Sequence, residues 1–197
     1  MRVRGTSALV IEVSQAEEIV GGFRQRYDPV APLGMPAHVT VLFPFVEVDE
    51  IREELMTELW ELYSEIPRFT FRLARLGQFA DVLFLVPEPR EQIDALTAAT
   101  CERYPEYRPY GGTVERPDPH LTIAHAEDPE ELARICTEVE ARMSGEALEV
   151  EVREVALMTH EDGTWRRRQI FPLAETPAPT GDVSEHDQDE DDVRDQA

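Results

Sequence analysis

The chain has 197 residues, which suits one domain of ordinary size with or without a tail. It carries 41 acidic and 19 basic residues, every basic residue is arginine, and the formal net charge is −22. The absence of lysine excludes a P-loop nucleoside triphosphatase, a Schiff-base enzyme and a ligase that forms an adenylate on lysine. The charge also argues against a general binder of long nucleic acid, which needs a basic surface.

Strand and helix patterns alternate along most of the chain. Short apolar or alternating runs predict strands, and apolar stripes at intervals of three to four residues predict helices. We expect Ser14 and Asp49 to cap the first two helices and Asp162-Gly163 to form the last turn. In chain order the predicted elements are strand 8–13, helix 15–27, strand 38–43, helix 50–63, strands 69–76 and 82–86, helix 89–103, strand 120–124, helix 129–143, and strands 148–157 and 168–173.

This order of elements repeats itself. The series strand, helix, strand, helix, strand occurs twice, with a histidine opening the second strand each time and one further strand closing the domain. We infer a duplicated α+β domain with two similar lobes. The connections that precede the two histidine strands, 28–37 and 105–119, are long and rich in proline and glycine, and loops of that kind are often functional.

A tetrapeptide pattern appears once in each repeat. It reads His38-Val39-Thr40-Val41 and then His120-Leu121-Thr122-Ile123. Residues i and i+2 of a strand share a face, so each lobe offers an imidazole and a hydroxyl side by side while the intervening apolar residues enter the core. If the lobes pack about a pseudo-twofold axis, the two pairs face each other across a cleft.

Two opposed histidines make a complete acid–base apparatus. Imidazole titrates near neutrality, so one ring can accept a proton while the other donates one. Threonine hydroxyls can donate to phosphoryl oxygens, and a phosphodiester or cyclic phosphate fits such a site. The alternatives are a purely structural use of the histidines and a zinc site. Zinc would need a third and a fourth ligand, and Cys101 and Cys136 lack ligand spacing, so we expect no metal.

With these motifs in place, the sequence resembles the 2H phosphoesterase superfamily, which includes the 2′-5′ RNA ligases and the RNA 2′,3′-cyclic phosphodiesterases. The resemblance rests on the two His-x-Thr-x motifs, on the segments 36–45 and 119–123 around them, and on the duplicated order, and it spans about residues 7–174. It implies an α+β, bilobal fold in which two antiparallel sheets face a central cleft with helices outside.

The resemblance also implies a function. The expected activity is metal-free hydrolysis of 2′,3′-cyclic phosphate ends of RNA, or of small cyclic nucleotides, to 2′-phosphates, with ligation as the reverse reaction. His38 and His120 would be base and acid in an order left open, and Thr40 and Thr122 would bind phosphate. No cofactor is expected, and the partner would be a small nucleotide or an RNA end bearing a cyclic phosphate. The alternatives are a non-catalytic nucleotide-binding module with the same cleft and a metal-dependent hydrolase.

Two further residues are candidates for contact with substrate. Many relatives place an arginine five residues after the second motif histidine, where this chain has His125. Alternation puts His125 off the face of His120 unless the strand bends. Tyr110, in the loop before the second motif, could stack on a base, whereas Tyr104 more simply packs that loop. The cluster Arg166–Arg168 reads as a solvated hairpin end.

The last predictions concern the C-terminal segment, the two cysteines and the location of the protein. Residues 175–197 carry nine acidic residues and one arginine and almost nothing apolar, so we predict a disordered acidic tail after a domain over residues 1–174. We expect reduced core cysteines and a cytoplasmic, monomeric protein, since no signal peptide or membrane-length apolar run is evident.

Overall fold

The computed structural model describes residues 5–114 and 117–175. The predicted acidic tail, apart from Glu175, lies outside these residues. Eight strands and four α-helices occur within them, joined in places by short 3₁₀ turns. Their bounds are β1 Thr6–Glu12, α1 Glu17–Tyr27, β2 His38–Leu42, α2 Glu53–Ser64, β3 Phe69–Phe79, β4 Val82–Glu88, α3 Glu91–Arg103, β5 Leu121–His125, α4 Pro129–Met143, β6 Leu148–Val152, β7 Glu154–Glu161 and β8 Thr164–Pro172.

The strands form two four-stranded sheets, and every ladder in them is antiparallel. The first sheet has the order β2-β1-β7-β8 and the second the order β5-β4-β3-β6. This confirms the α+β fold with two antiparallel sheets. The sheets are not consecutive halves of the chain, however. Strand β3 follows α2 but joins the second sheet, and the first sheet is completed by the last two strands.

One predicted strand is two strands. The segment 148–157 divides at Arg153 into β6, which belongs to the second sheet, and β7, which belongs to the first. Alternation changes parity at this point, because the residues that enter the main core are Val150 and Val152 before Arg153 and Val155 and Leu157 after it. The intervening Ala156 and Met158 of β7 are buried in a second, smaller cluster. The chain therefore crosses between sheets where the sequence pattern skips one position.

The starts of the first three helices also differ from prediction. A 3₁₀ turn over Ser14–Ala16 precedes α1, and the Ser14 side chain does not cap it. Helix α2 begins after a second such turn, so Asp49 is not its cap. Helix α3 begins at Glu91, two residues after Pro89, with Arg90 at its N-cap. The predicted turn at Asp162-Gly163 is correct, and both residues have positive φ.

One continuous core joins the two sheets. It includes apolar residues from β1 and β2 of the first sheet together with residues from β4 and β5 of the second. Helix α1 packs near β5, whereas α3 packs near β2, so each helix lies against the edge strand of the opposite sheet. The edge strands β2 and β5 thereby lie next to each other. No helix in the described residues is long and apolar enough to cross a membrane.

Candidate active site

The two motifs occupy equivalent places on the neighbouring edge strands. His38 opens β2 and His120 directly precedes β5. Both histidines and both threonines are partly exposed, as the predicted alternation requires. The residues between them are buried: Val39, Val41, Leu121 and Ile123. Thr40 and His120, one residue from each motif, line the same cavity, and His120 is close enough to His38 for its charge to affect that ring.

Each motif histidine is held by the carbonyl two residues before it. The Nδ1 atom of His38 lies 2.8 Å from the carbonyl oxygen of Pro36, and that of His120 lies 2.8 Å from the carbonyl oxygen of Asp118. A carbonyl can only accept, so Nδ1 is the protonated nitrogen in both rings. The neutral rings therefore keep the lone pair of Nε2 for proton transfer.

Burial changes the acid–base behaviour of both rings. It lowers the pKa of His38 from its ordinary value of 6.5 to about 4, although the hydrogen bond to Pro36 opposes the effect, and the charges of Arg24 and Asp28 act in opposite directions. It also lowers the pKa of His120, where the carboxylate and carbonyl of Asp118 oppose the effect. In the protein without ligand both rings are therefore neutral at pH 7. A bound phosphate anion would favour the protonated form again.

Aromatic rings surround His120. Phe79 and Phe84 lie with ring centroids 5.4 and 5.3 Å from that of His120, and their own centroids are 4.2 Å apart. Gly77 makes this packing possible, because a Cβ at that position would lie 2.5 Å from the Phe84 ring. Sequence reasoning did not find these residues, although a glycine inside a strand commonly marks such a close approach.

A cavity of about 540 Å³ adjoins the motifs. It is lined by Thr40 and His120 at the motif end, and by side chains of α3 and of the loop before β5, among them Tyr110. Its size is within the range of small-molecule sites. Tyr110 is anchored there by a bond of 2.6 Å from its backbone N–H to the carbonyl of Phe43, and its phenol has the Thr40 side chain as a partner. Tyr104, by contrast, is buried and packs edge-on against Phe45.

A β-bulge brings His125 onto the face of Thr122. The pairing of β4 with β5 passes from Leu83–Ala124 to Phe84–Thr122, so that Ile123 and Ala124 both enter the core. His125 then pairs with Val82, on the side of the sheet that carries Phe84. Its charge is close enough to lower the pKa of His120. The bulge therefore places His125 on the same side of the strand as Thr122, whereas simple alternation would place it on the opposite side.

The same bulge occurs in the first motif. The pairing of β1 with β2 passes from Leu9–Leu42 to Val10–Thr40 and leaves Val41 without a partner. Phe43 is therefore the counterpart of His125. Its ring packs edge-on against Trp165, with centroids 6.1 Å apart. Both motif strands therefore contain the same bulge, but the residue that follows it is the apolar Phe43 in the first motif and His125 in the second.

The remaining candidates lie apart from the motifs. Cys101 and Cys136 are unpaired and half-buried on α3 and α4. In residues 5–114 and 117–175, no three His, Cys, Asp or Glu side chains are grouped so that they could hold a metal ion. In the arginine cluster, Arg167 forms an ion pair of 3.3 Å with Glu12.

Paired histidine–threonine motifs on neighbouring edge strands define a 2H phosphoesterase-type enzyme. The model of the 2′-5′ RNA ligase superfamily matches residues 11–164, and the chain belongs to this superfamily. A Bacillus thuringiensis protein named "Putative phosphoesterase" is 30% identical over 161 residues, which cover 80% of this chain and 90% of that protein. A Bacillus pumilus protein of the same name is 28% identical over 166 residues, covering 81% and 91%.

Solved structures share the fold. Escherichia coli LigT complexed with 3′-AMP matches with a TM-score of 0.55 and 17% identity, over 87% of this chain and 99% of LigT. The Thermus thermophilus protein TT0787 matches with a TM-score of 0.53 and 16% identity, over 86% and 98%. These comparisons confirm the resemblance to the 2H phosphoesterases and the fold that it implied.

Proposed function

We propose that the protein is a metal-independent phosphodiesterase that opens 2′,3′-cyclic phosphates, at RNA ends or on small nucleotides, to 2′-phosphates. The observation that carries the proposal is that the two motif histidines make the same hydrogen bond to the backbone. Each has Nδ1 held by a backbone carbonyl, which leaves Nε2 for proton transfer beside a threonine hydroxyl. Two such groups supply the base and the acid that hydrolysis of a phosphodiester requires.

The reaction follows from these roles. One imidazole takes a proton from water, and the resulting hydroxide attacks phosphorus. The bond between phosphorus and O3′ breaks, and the other imidazole, entering as imidazolium, gives its proton to O3′. Thr40 and Thr122 donate hydrogen bonds to the non-bridging oxygens and hold phosphorus between the two rings. The same sequence with a 5′-hydroxyl in place of water joins that hydroxyl to phosphorus, breaks the bond between phosphorus and O3′, and forms a 2′-5′ linkage.

The surroundings of the rings favour one assignment of roles. His38 has the more fully desolvated ring and a pKa of about 4, so it stays neutral above that pH and serves as the base. His120 has the carboxylate of Asp118 nearby, which favours its charged form, so it serves as the acid. The anionic phosphate between the rings adds to this preference when substrate binds.

A small nucleotide is the expected substrate. The net charge of −22 disfavours long RNA, and the cavity beside the motifs has room for a nucleoside. LigT has been solved with 3′-AMP and with NADP+, which supports nucleotide ligands for the shared fold. Tyr110 at the cavity and His125 beside Thr122 are the proposed further contacts.

The test is a screen of 2′,3′-cyclic nucleotides and 2′-5′-linked dinucleotides with EDTA present, with the position of the product phosphate assigned by phosphorus NMR. We expect 2′-phosphates as products. Thr40→Val and Thr122→Val should each reduce kcat/KM about tenfold or more, because each removes a hydrogen bond to a charged group. Thr137→Val on the exposed face of α4 is the matched control and should retain full activity. Failure of the wild type to turn over any of these diesters would refute the proposal.

A nucleotide-binding module is the second candidate. It is favoured by one observation, since both motif histidines are neutral at pH 7 in the unliganded protein and an empty site then lacks its acid. The same screen separates the two functions. A module would bind a cyclic nucleotide in calorimetry and leave it intact, whereas the enzyme would convert it.

A further inference from the structure

The loop before the first motif is fastened by a buried arginine. Arg24, in the last turn of α1, is almost completely buried and forms a fork with the equally buried Asp28, with Nε and Nη2 lying 3.2 and 2.9 Å from one carboxylate oxygen. Its Nη2 also donates to the carbonyl of Met35 at 3.2 Å. Glu17 completes the arrangement, because one carboxylate oxygen accepts from Arg24 at 3.2 Å and from the backbone N–H of Ala37 at 2.6 Å.

The loop before the second motif is fastened by another arginine. Arg90, just before α3, forms a fork with Asp94, with distances of 2.8 and 3.1 Å. It also donates to the carboxylate of Asp118 and, at 3.4 Å, to the carbonyl of Pro117. Asp118 is the residue whose own carbonyl holds Nδ1 of His120.

The two arrangements share two features. Each arginine pairs with an aspartate four residues later, and each donates to the carbonyl of the third residue before a motif histidine, Met35 or Pro117. The two arginines differ in their position on the helix, because Arg24 lies in the last turn of α1 and Arg90 lies at the N-cap of α3. A duplicated sequence in register would not place the two arginines at opposite helix ends. The common target therefore indicates a common requirement at the two histidines.

The requirement is a fixed carbonyl. The residue that holds Nδ1 of each histidine directly follows the residue whose carbonyl the arginine binds. An arginine fork fixes both distance and angle, so it prevents this short backbone segment from rotating its carbonyls away. A histidine that loses its carbonyl acceptor is free to move its proton to Nε2. That nitrogen then has no lone pair with which to accept a proton from the reacting water.

We propose that Arg24 and Arg90, each with its aspartate, are positioning residues that set the Nδ1–H tautomer of His38 and of His120 respectively. Neither arginine donates to the histidine itself, so each acts through the backbone between them. The tautomer part of this inference is independent of the proposed reaction, whereas its effect on rate rests on that function.

The test is nitrogen-15 NMR of the imidazoles in the full-length protein. In the wild type both motif rings should give the Nδ1–H pattern. Arg90→Ala should shift His120 toward a mixture of tautomers and leave His38 unchanged. Arg24→Lys, which keeps the buried charge opposite Asp28 but loses the fork, should have the converse effect. Arg153→Ala removes an exposed arginine that is paired with Glu151, and this matched control should change neither ring.

The kinetic readout separates the inference from the proposed function. With a cyclic nucleotide, Arg90→Ala should lower kcat by roughly 10- to 100-fold with little change in KM, since an orienting group is lost and no contact with substrate is removed. Arg90→Lys should recover only part of the rate. Thermal unfolding confirms that each variant is folded, and Arg90, which is one-third exposed, can be replaced with less disturbance than Arg24.

Two results would overturn the inference. One is a His120 ring that keeps the Nδ1–H pattern in folded Arg90→Ala, and the other is an equal change in both rings. If the wild type hydrolyses no diester but the tautomers respond as expected, the proposed function fails while the positioning role stands.

Discussion

The low pKa of His38 makes the stability of the protein depend on pH in a way that one substitution should remove. The folded protein binds a proton at this ring only near pH 4, whereas an unfolded histidine binds it near 6.5. Between these values the unfolded chain holds the additional proton. The free energy of unfolding therefore falls as pH decreases through this range. His38→Gln, a neutral side chain of similar size, should abolish that contribution.

The magnitude follows from the two pKa values. Relative to pH 7.5, the contribution that is lost is about 2 kcal/mol at pH 5 and about 3 kcal/mol at pH 4. The ring is partly exposed, so solvent screening makes these values upper bounds. Other titrating groups affect both proteins equally and cancel in the difference. The wild type should therefore lose up to about 2 kcal/mol more stability than His38→Gln between pH 7.5 and pH 5.

The assay is urea unfolding of both proteins at pH 7.5, 6, 5 and 4. Thr137→Val is the control, because it removes no titrating group and should leave the pH dependence of the wild type unchanged. Curves for the wild type and His38→Gln that run parallel over the whole range would refute the reasoning. They would mean that His38 titrates in the folded protein as a solvated histidine does, and the assignment of His38 as the base would lose its support.

Four other predictions concern activity and architecture. His38→Ala and His120→Ala should each lower kcat/KM for a cyclic nucleotide by roughly 10²–10⁴, with the double variant falling little further; wild-type turnover in either would contradict the assigned roles. In the wild type, kcat/KM should follow a bell-shaped pH profile with its maximum between about 4 and 6.5, since the base must be neutral and the acid charged. EDTA should not affect it, and loss of activity on chelation with rescue by zinc would indicate a metal enzyme. Gly77→Ala should lower both Tm and kcat by displacing Phe84 from His120, and adding Phe84→Leu should restore Tm; an unchanged Tm in the single variant would contradict the close contact. Deleting 175–197 should leave Tm and turnover unchanged and strengthen binding of an RNA oligomer at low salt only, as measured by fluorescence anisotropy; a lower Tm would place part of this segment in the folded domain.

Most strands and helices of the fold can be predicted from the sequence, because local patterns of apolar residues specify them. The alternation in His38–Val41 and His120–Ile123 predicts correctly which side chains enter the core. The assignment of strands to sheets could not be predicted, because it depends on pairing between distant segments. The division at Arg153 has a local signal, the change of parity in the alternation, but the apolar run 155–158 that follows conceals it.

The bulges in the two motif strands are a feature of the site that simple alternation does not predict. Two adjacent apolar residues follow the threonine in each motif, Val41-Leu42 and Ile123-Ala124, and such a pair in an alternating strand is the trace of a bulge. Alternation alone places His125 on the wrong face. The spacing of Arg24 to Asp28 and of Arg90 to Asp94 is visible in the sequence. The bonds to the carbonyls of Met35 and Pro117 are not, because every residue supplies a carbonyl.

Two identical motifs can take different roles because their neighbours differ. The strand, the tautomer and the adjacent threonine are the same for both histidines, so none of these can distinguish a base from an acid. His38 lies near the buried ion pair of Arg24 and Asp28, whose charges largely oppose each other at the ring, so that burial decides its pKa. His120 lies near Asp118, an exposed carboxylate that favours imidazolium. Removing that charge by Asp118→Asn, which keeps the backbone carbonyl on Nδ1, should therefore lower the pKa of His120 and move the alkaline limb of the kcat/KM profile to lower pH, while the acid limb stays in place. An unmoved alkaline limb would mean that the charge of Asp118 does not select the acid.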